Sequence, residues 1–257
     1  MEKVGLAGCG ALGSIIAKAL IDGIEGYELV GIADLNPPPF DVPHLSFEEL
    51  AENCDLVIEA LPPSEVPKIA GEVLKRDKTL IMLSACALLL FPEIEEISKA
   101  SKGRIRVPSG ALSGLDAVTA LNCAGIESAK IASTKPPKGL KGAPYVVQND
   151  LDLDSLTEKT RIFEGNAFDA AKAFPANVNV AATLSLAGIG PERTRVEVWA
   201  DPEAKGNSHE ITVIGPGSVI TSKTENVPDP SNPKSSMQAA YSVISLLKRR
   251  SAGIALG

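Results

Sequence analysis

The stretch Gly8-Cys9-Gly10-Ala11-Leu12-Gly13 limits the fold of this chain more than any other. An apolar run, Val4 to Ala7, precedes it. A helical pattern follows from Ala11 to Ile21, with Leu12, Ile15, Ile16, Ala19 and Leu20 on one face. A second apolar run, Leu29 to Ala33, ends at Asp34, about 20 residues after Gly13. Glycines at this spacing say little alone. Between a strand and a helix, with an acid closing the next strand, they form a dinucleotide fingerprint. Gly8 permits the tight turn, Gly10 lets backbone approach a pyrophosphate, and Gly13 lets helix pack on strand. The N–H groups near Ala11 and Leu12 open the helix and suit phosphate oxygens. Asp34 would accept hydrogen bonds from the adenine ribose. Its carboxylate repels a 2′-phosphate, which favours NAD, with NADP as the alternative.

The alternation continues along the chain. Asp55–Ala60, Thr79–Leu83 and Arg104–Val107 read as strands, with helices expected over Glu65–Lys75 and Phe91–Ala100. Ser46-Phe47-Glu48-Glu49 has the form of a capping box. Strands and helices at this spacing predict a doubly wound parallel sheet, a Rossmann domain over 1–108. The texture changes after Pro108. Lys130–Thr134, Val196–Ala200 and Glu210–Ile214 alternate as half-exposed strands, and Ala176–Ala187 is a small-residue apolar helix. A second α/β domain with a more antiparallel sheet is expected over 109–232. A final helix begins at Asn232-Pro233, good N-cap and N1 residues, and its segment 233–257 is expected to return to the first domain.

Composition removes several classes of function. The net charge of −7 over 257 residues argues against nucleic acid, which needs a basic surface. No apolar run approaches the length that spans a bilayer, and the N-terminus lacks a signal-peptide core. Cys9, Cys54, Cys86 and Cys123 form no CxxC pair, so neither a disulfide framework nor a metal site is expected. A reduced, cytoplasmic protein is.

Catalytic candidates are few. The chain has two histidines. His44, between Pro43 and Leu45, reads as a loop residue. His209, in Asn207-Ser208-His209-Glu210 ahead of a strand, is the better candidate for a base working near neutrality. Asn232-Pro233-Lys234-Ser235-Ser236 is either an anion site at a helix N-terminus or plain capping. Asn177 and Asn179 interrupt an apolar stretch and need hydrogen-bond partners, from a ligand or from backbone.

Several segments together resemble the L-aspartate dehydrogenase family: Val107-Pro108-Ser109-Gly110-Ala111 with Gly114-Leu115-Asp116, Lys135-Pro136-Pro137, Phe174 to Leu184, Asp201-Pro202 with Asn207 and His209, and Asn226-Val227-Pro228 with Asn232 to Ser236. The resemblance implies that His209 is the catalytic acid/base and that Ala111 and Asn177 lie against the nicotinamide half of the cofactor. It implies a dihydrodipicolinate-reductase-like second domain and a homodimer. The reaction it implies is oxidative deamination of L-aspartate to iminoaspartate, which feeds NAD biosynthesis or hydrolyses to oxaloacetate and ammonia. Ser109, Asn177, Asn207, Lys234 and Ser235 are then the candidates to hold substrate. Ser84 to Leu90 departs from the family pattern by lacking its glycine and acid. Two other readings stand beside this one: a reductase of a cyclic imine or enoyl substrate, and a non-catalytic sensor of NAD(H).

Overall fold

The computed structural model describes residues 1–226 and 236–254. The chain forms two compact units, one of Met1–Gly110 with Met237–Gly257, the other of Ala111–Ser236.

The first unit is built on five parallel strands: β1 (Glu2–Ala7), β2 (Tyr27–Ala33), β3 (Leu56–Glu59), β4 (Thr79–Met82) and β5 (Arg104–Arg106). Their order in the sheet is β2-β1-β3-β4-β5. Chain connections leave β1 in opposite directions, which makes its C-terminal end the switch point where such sheets bind ligands. Ile32 of β2 makes a lone parallel bridge with His44. In dinucleotide-binding sheets a third strand stands at this position. Here Pro37, Pro38 and Pro39 prevent a helical crossover, and one bridge is what remains of it.

Helices cover both faces of this sheet, and the strands alternate between two cores. Leu6, Ile32, Ile58 and Ile81 pack with Ile16 and Leu20 of α1 (Ala11–Gly23) and with Ala240, Val243 and Leu247 of α10 (Met237–Ser251). Ala7, Val57, Leu80 and Met82 pack on the other side with Leu50 of α2 (Phe47–Asn53), with Ile69 and Val73 of α3 (Val66–Leu74) and with Ile94 of α5 (Glu93–Ala100). Burial on both faces is why these strands read as unbroken apolar runs. Ser46 and Glu49 form the expected capping box at the start of α2. Sequence patterning did not mark α4 (Cys86–Leu90), a short helix within the apolar stretch 80–91.

In the second unit, β6 (Ser128–Lys135), β7 (Thr160–Asn166), β8 (Thr194–Ala200), β9 (Asn207–Gly215) and β10 (Ser218–Asn226) form a sheet of order β10-β9-β6-β8-β7. Only β6 and β8 run parallel; the other pairs are antiparallel. The apolar face of this sheet packs with α6 (Leu115–Asn122), α8 (Ala167–Ala173) and α9 (Asn179–Ala187); α7 (Pro144–Gln148) sits beside α8. The opposite face carries charge and aromatic contact. Glu197 accepts from Lys130 at 2.8 Å and from the Trp199 indole at 3.1 Å, and Arg161 stacks over Trp199. Strands β7 and β10, rich in polar residues, had not been expected. The start expected for the last helix, at Asn232-Pro233, lies outside the described residues.

Leu247 has no solvent exposure and belongs to the core that α10 shares with α1. Leu247→Ala should therefore destabilise the protein by about 2–5 kcal/mol, read as a lowered midpoint in urea unfolding. A loss below about 0.5 kcal/mol would mean that α10 is not part of this core.

Candidate active site

Steric necessity shapes the glycine turn. Gly8 has φ +93°, and a Cβ there would meet the Ala60 carbonyl oxygen at 2.4 Å. A Cβ on Gly13 would stand 2.0 Å from the Gly8 carbonyl oxygen. Gly10 is different: nothing lies within 4 Å of its Cβ position, so the outer side of the turn is open. Helix α1 begins there without a side-chain cap and without an acid in its first turn. Its first N–H groups and dipole are thus available to an anion, and the turn fits the pyrophosphate of a dinucleotide. Ala11 is exposed and Leu12 half-buried at this end.

Asp34 is placed at the same edge, already partly engaged. One carboxylate oxygen accepts the Cys9 N–H at 2.6 Å and the other accepts the Asn36 N–H at 3.1 Å. It braces the glycine turn from the end of β2. His44 bonds the Asp34 carbonyl through Nε2 at 2.8 Å, which ties its ring to the loop backbone.

Glu59, which the sequence reading had left within a strand, is fully buried at the end of β3. It accepts the Leu61 N–H at 2.6 Å and the Ser84 N–H at 3.0 Å. The Ser84 hydroxyl donates to the Leu61 carbonyl at 2.7 Å. These bonds clamp the loops after β3 and β4 together. Burial pushes the Glu59 carboxyl up to about 7, although its hydrogen bonds pull the other way. Ser84 thus gives the divergent 84–90 segment a structural role.

In the second unit, polar side chains cross one end of the apolar sheet face. His209 of β9 lies opposite Ser133 of β6 and opposite Thr224 of β10. Two residues further along the strands, on the same face, stand Lys135, Asn207 and Asn226, the last two paired across the ladder. His209 is 4% exposed and Lys135 is 6% exposed. The Ser133 hydroxyl and His209 Nδ1 are 2.9 Å apart. Ser113 adds a hydroxyl chain, 2.9 Å from the Thr224 hydroxyl and bonded to that of Ser222.

Burial, aided by the nearby Lys135 ammonium, pushes the His209 imidazole down to about 3. This corrects the expectation of a base poised near neutrality: desolvation disfavours the charged ring, and a cation beside it adds to that. Burial pushes Lys135 down to about 8.

Other candidates are scattered over the two units. Ala111 is buried, and Ser109 is half-buried in the first unit. Asn177 lies before α9; its N–H donates to the Phe174 carbonyl at 2.8 Å, and its amide is without a partner among the described residues. Lys234 and Ser235 lie outside the described residues. The sequence reading gave no role to Ser133, Lys135 or Thr224. Strand parity held the signal, because it places Lys135 in line with Ile131 on the buried side.

A model described as "Aspartate dehydrogenase, C-terminal" matches residues 116–250, and "Homoserine dehydrogenase, NAD binding domain" matches 8–108. The chain belongs to the aspartate dehydrogenase family. It is 42% identical to L-aspartate dehydrogenase 3 of Bordetella bronchiseptica over 99% of this chain and 97% of that one. It is 41% identical to the L-aspartate dehydrogenase of Methanosarcina mazei over 97% of each. A crystal structure of aspartate dehydrogenase from Thermotoga maritima is 27% identical, with a TM-score of 0.81 and full coverage of both chains. The NAD-binding match spans the glycine turn and Asp34, and the C-terminal one spans the whole polar row around His209. Among the described residues, no helix is long and apolar enough to cross a membrane.

The free protein should keep His209 neutral across ordinary pH. In proton NMR its ring signals should not titrate between pH 4.5 and 8. A midpoint near 6.5 would mean that the ring is solvated rather than buried.

Proposed function

We propose that this chain oxidises L-aspartate to iminoaspartate with NAD, and that His209 is the group that moves the proton. The chain is a nicotinamide-dependent amino-acid dehydrogenase, as are its relatives by name. The observation that carries the residue assignment is the buried imidazole of His209, whose Nδ1 lies 2.9 Å from the Ser133 hydroxyl.

NAD, when bound, would supply an acceptor for the hydride that leaves the substrate Cα. The work of the protein is to place the substrate and to take its proton. With Nδ1 donating to the Ser133 hydroxyl, the Nε2 lone pair is free. In the complex the negative charge of the substrate carboxylates raises the proton affinity of the ring above its value in the free protein. Nε2 then takes a proton from the substrate ammonium, and the nitrogen lone pair thus released forms the C=N bond. Iminoaspartate then leaves for NAD biosynthesis or hydrolyses to oxaloacetate and ammonia. Ala111 and Asn177 take the nicotinamide half; Gly8, Gly10, Ala11, Leu12, Gly13 and Asp34 take the adenine and phosphate half. Ser109, Asn177, Asn207, Lys234 and Ser235 are the proposed substrate contacts. The second unit is the catalytic and dimerisation domain of a cytoplasmic homodimer, and the first is the Rossmann domain completed by the C-terminal helix.

The test is an amino-acid panel at alkaline pH, followed by absorbance of reduced nicotinamide. L-Aspartate should be the preferred substrate. His209→Ala should lower its turnover by about 10²–10⁴-fold and leave NAD affinity unchanged. Near-normal turnover would remove His209 from the mechanism, and inactivity of the wild type on aspartate would end the assignment.

Cofactor choice has its own test. Asp34→Ala should weaken NAD binding by about tenfold or more, the cost of losing hydrogen bonds to a charged group, and should narrow the gap to NADP. A wild type that binds NADP more tightly than NAD would overturn the role of Asp34.

A further inference from the structure

Lys135 is a buried cation with no anion among the described residues. It occupies the last position of β6, where Pro136 ends the strand and the Lys135 carbonyl accepts the Asp201 N–H at 3.0 Å. Its side chain lies on the helix-covered face, and among the described residues no carboxylate or carbonyl receives its ammonium. Buried charges in proteins are ordinarily paired, because leaving water without a partner is costly. At the far side of the row, on β10, Asn226 has a buried side-chain Nδ2 with no hydrogen-bond partner among the described residues. Asn207 lies between the two strands, opposite Asn226. One end of the sheet thus presents, on the face that carries the imidazole, a cation on β6 and an unsatisfied donor on β10, with Asn207 of β9 between them.

We infer that Lys135, with the Asn226 amide, forms the subsite that holds a carboxylate of the substrate beside His209. This rests on the amino-acid dehydrogenase reading of the same site. The chemistry matches: a carboxylate accepts from an ammonium and an amide N–H together, and its charge supplies the missing counter-ion. The subsite also gives the site a means of choosing its substrate. An amine without a carboxylate would leave Lys135 unpaired in the complex, and recognition of this kind discriminates strongly because the unmet group is buried.

The test uses the full chain with NADH present and succinate as the probe, a dicarboxylate that cannot react. Binding is followed by calorimetry. Lys135→Met keeps the length of the side chain without its charge and should weaken succinate binding by about 30-fold or more. Asn226→Ala should weaken it by about tenfold. NADH affinity should be unchanged in both, which also reports that the variants are folded. In turnover, Lys135→Met should raise the KM for L-aspartate far more than it lowers kcat. Succinate binding by Lys135→Met within threefold of wild type would overturn the inference. If the wild type uses another amino acid instead of aspartate, the dicarboxylate reading fails separately. The same variant then tests the subsite on that amino acid, since each carries a carboxylate: a raised KM sustains it, and an unchanged KM ends it.

Discussion

Contact of backbone on backbone at the glycine turn is the constraint on which the first unit depends. Between Gly13 and the Gly8 carbonyl, and between Gly8 and the Ala60 carbonyl, there is no room for a single methyl group. These approaches bring β1, α1 and the loop after β3 together at the switch point of the sheet. They also leave the N-terminus of α1 bare, so the packing that closes the core opens an anion site at its edge. Asp34 and Glu59 then brace this edge from β2 and β3, each by accepting backbone N–H groups.

The second unit meets a different constraint. Its sheet buries one face under helices, and most of that face is Ile, Val and Ala. At one end the apolar pattern is broken by Ser133, Lys135, His209 and Thr224. Burying a histidine and a lysine side by side works against folding. Both are held below their ordinary ionisation range, a cost of about 1.4 kcal/mol per pH unit of displacement. For His209 the unfolded chain binds a proton that the folded one refuses between about pH 6.5 and 3, so its contribution to stability falls as pH drops through that window. For Lys135 the unfolded chain holds the proton more tightly between about pH 8 and 10.5, so stability rises with pH there. Strain of this kind, kept in one corner of an otherwise apolar face, is what a preorganised site looks like.

Much of this was legible in the sequence because the signals are local. The glycine turn, Asp34, the capping box at Ser46 and the parallel strands follow from residue spacing and from burial on both faces. Strands β7 and β10 were not legible, since residues such as Thr160-Arg161 and Ser222-Lys223-Thr224-Glu225 have no apolar alternation strong enough to mark a strand. Pairing fixes them: β7 pairs with β8 across the intervening helices, and β10 pairs with β9 through the tight turn at Pro216-Gly217. Helix α4 was hidden in an apolar run whose period is too short to read. In the site, His209 stood out because histidine is rare in this chain, whereas Lys135 looked like any other lysine.

The sequence by itself determined the dinucleotide turn and the two kinds of sheet, and singled out His209 as the histidine to consider for proton transfer. Tertiary structure alone decided that His209 is neutral rather than poised near pH 7, and that Ser133, Lys135, Thr224 and Asn226 are its neighbours. The reason is physical. Turn geometry and helix or strand period depend on residues close in the chain. Burial and register depend on segments far apart in the chain, 76 residues for Ser133 and His209, which only the folded sheet brings into contact.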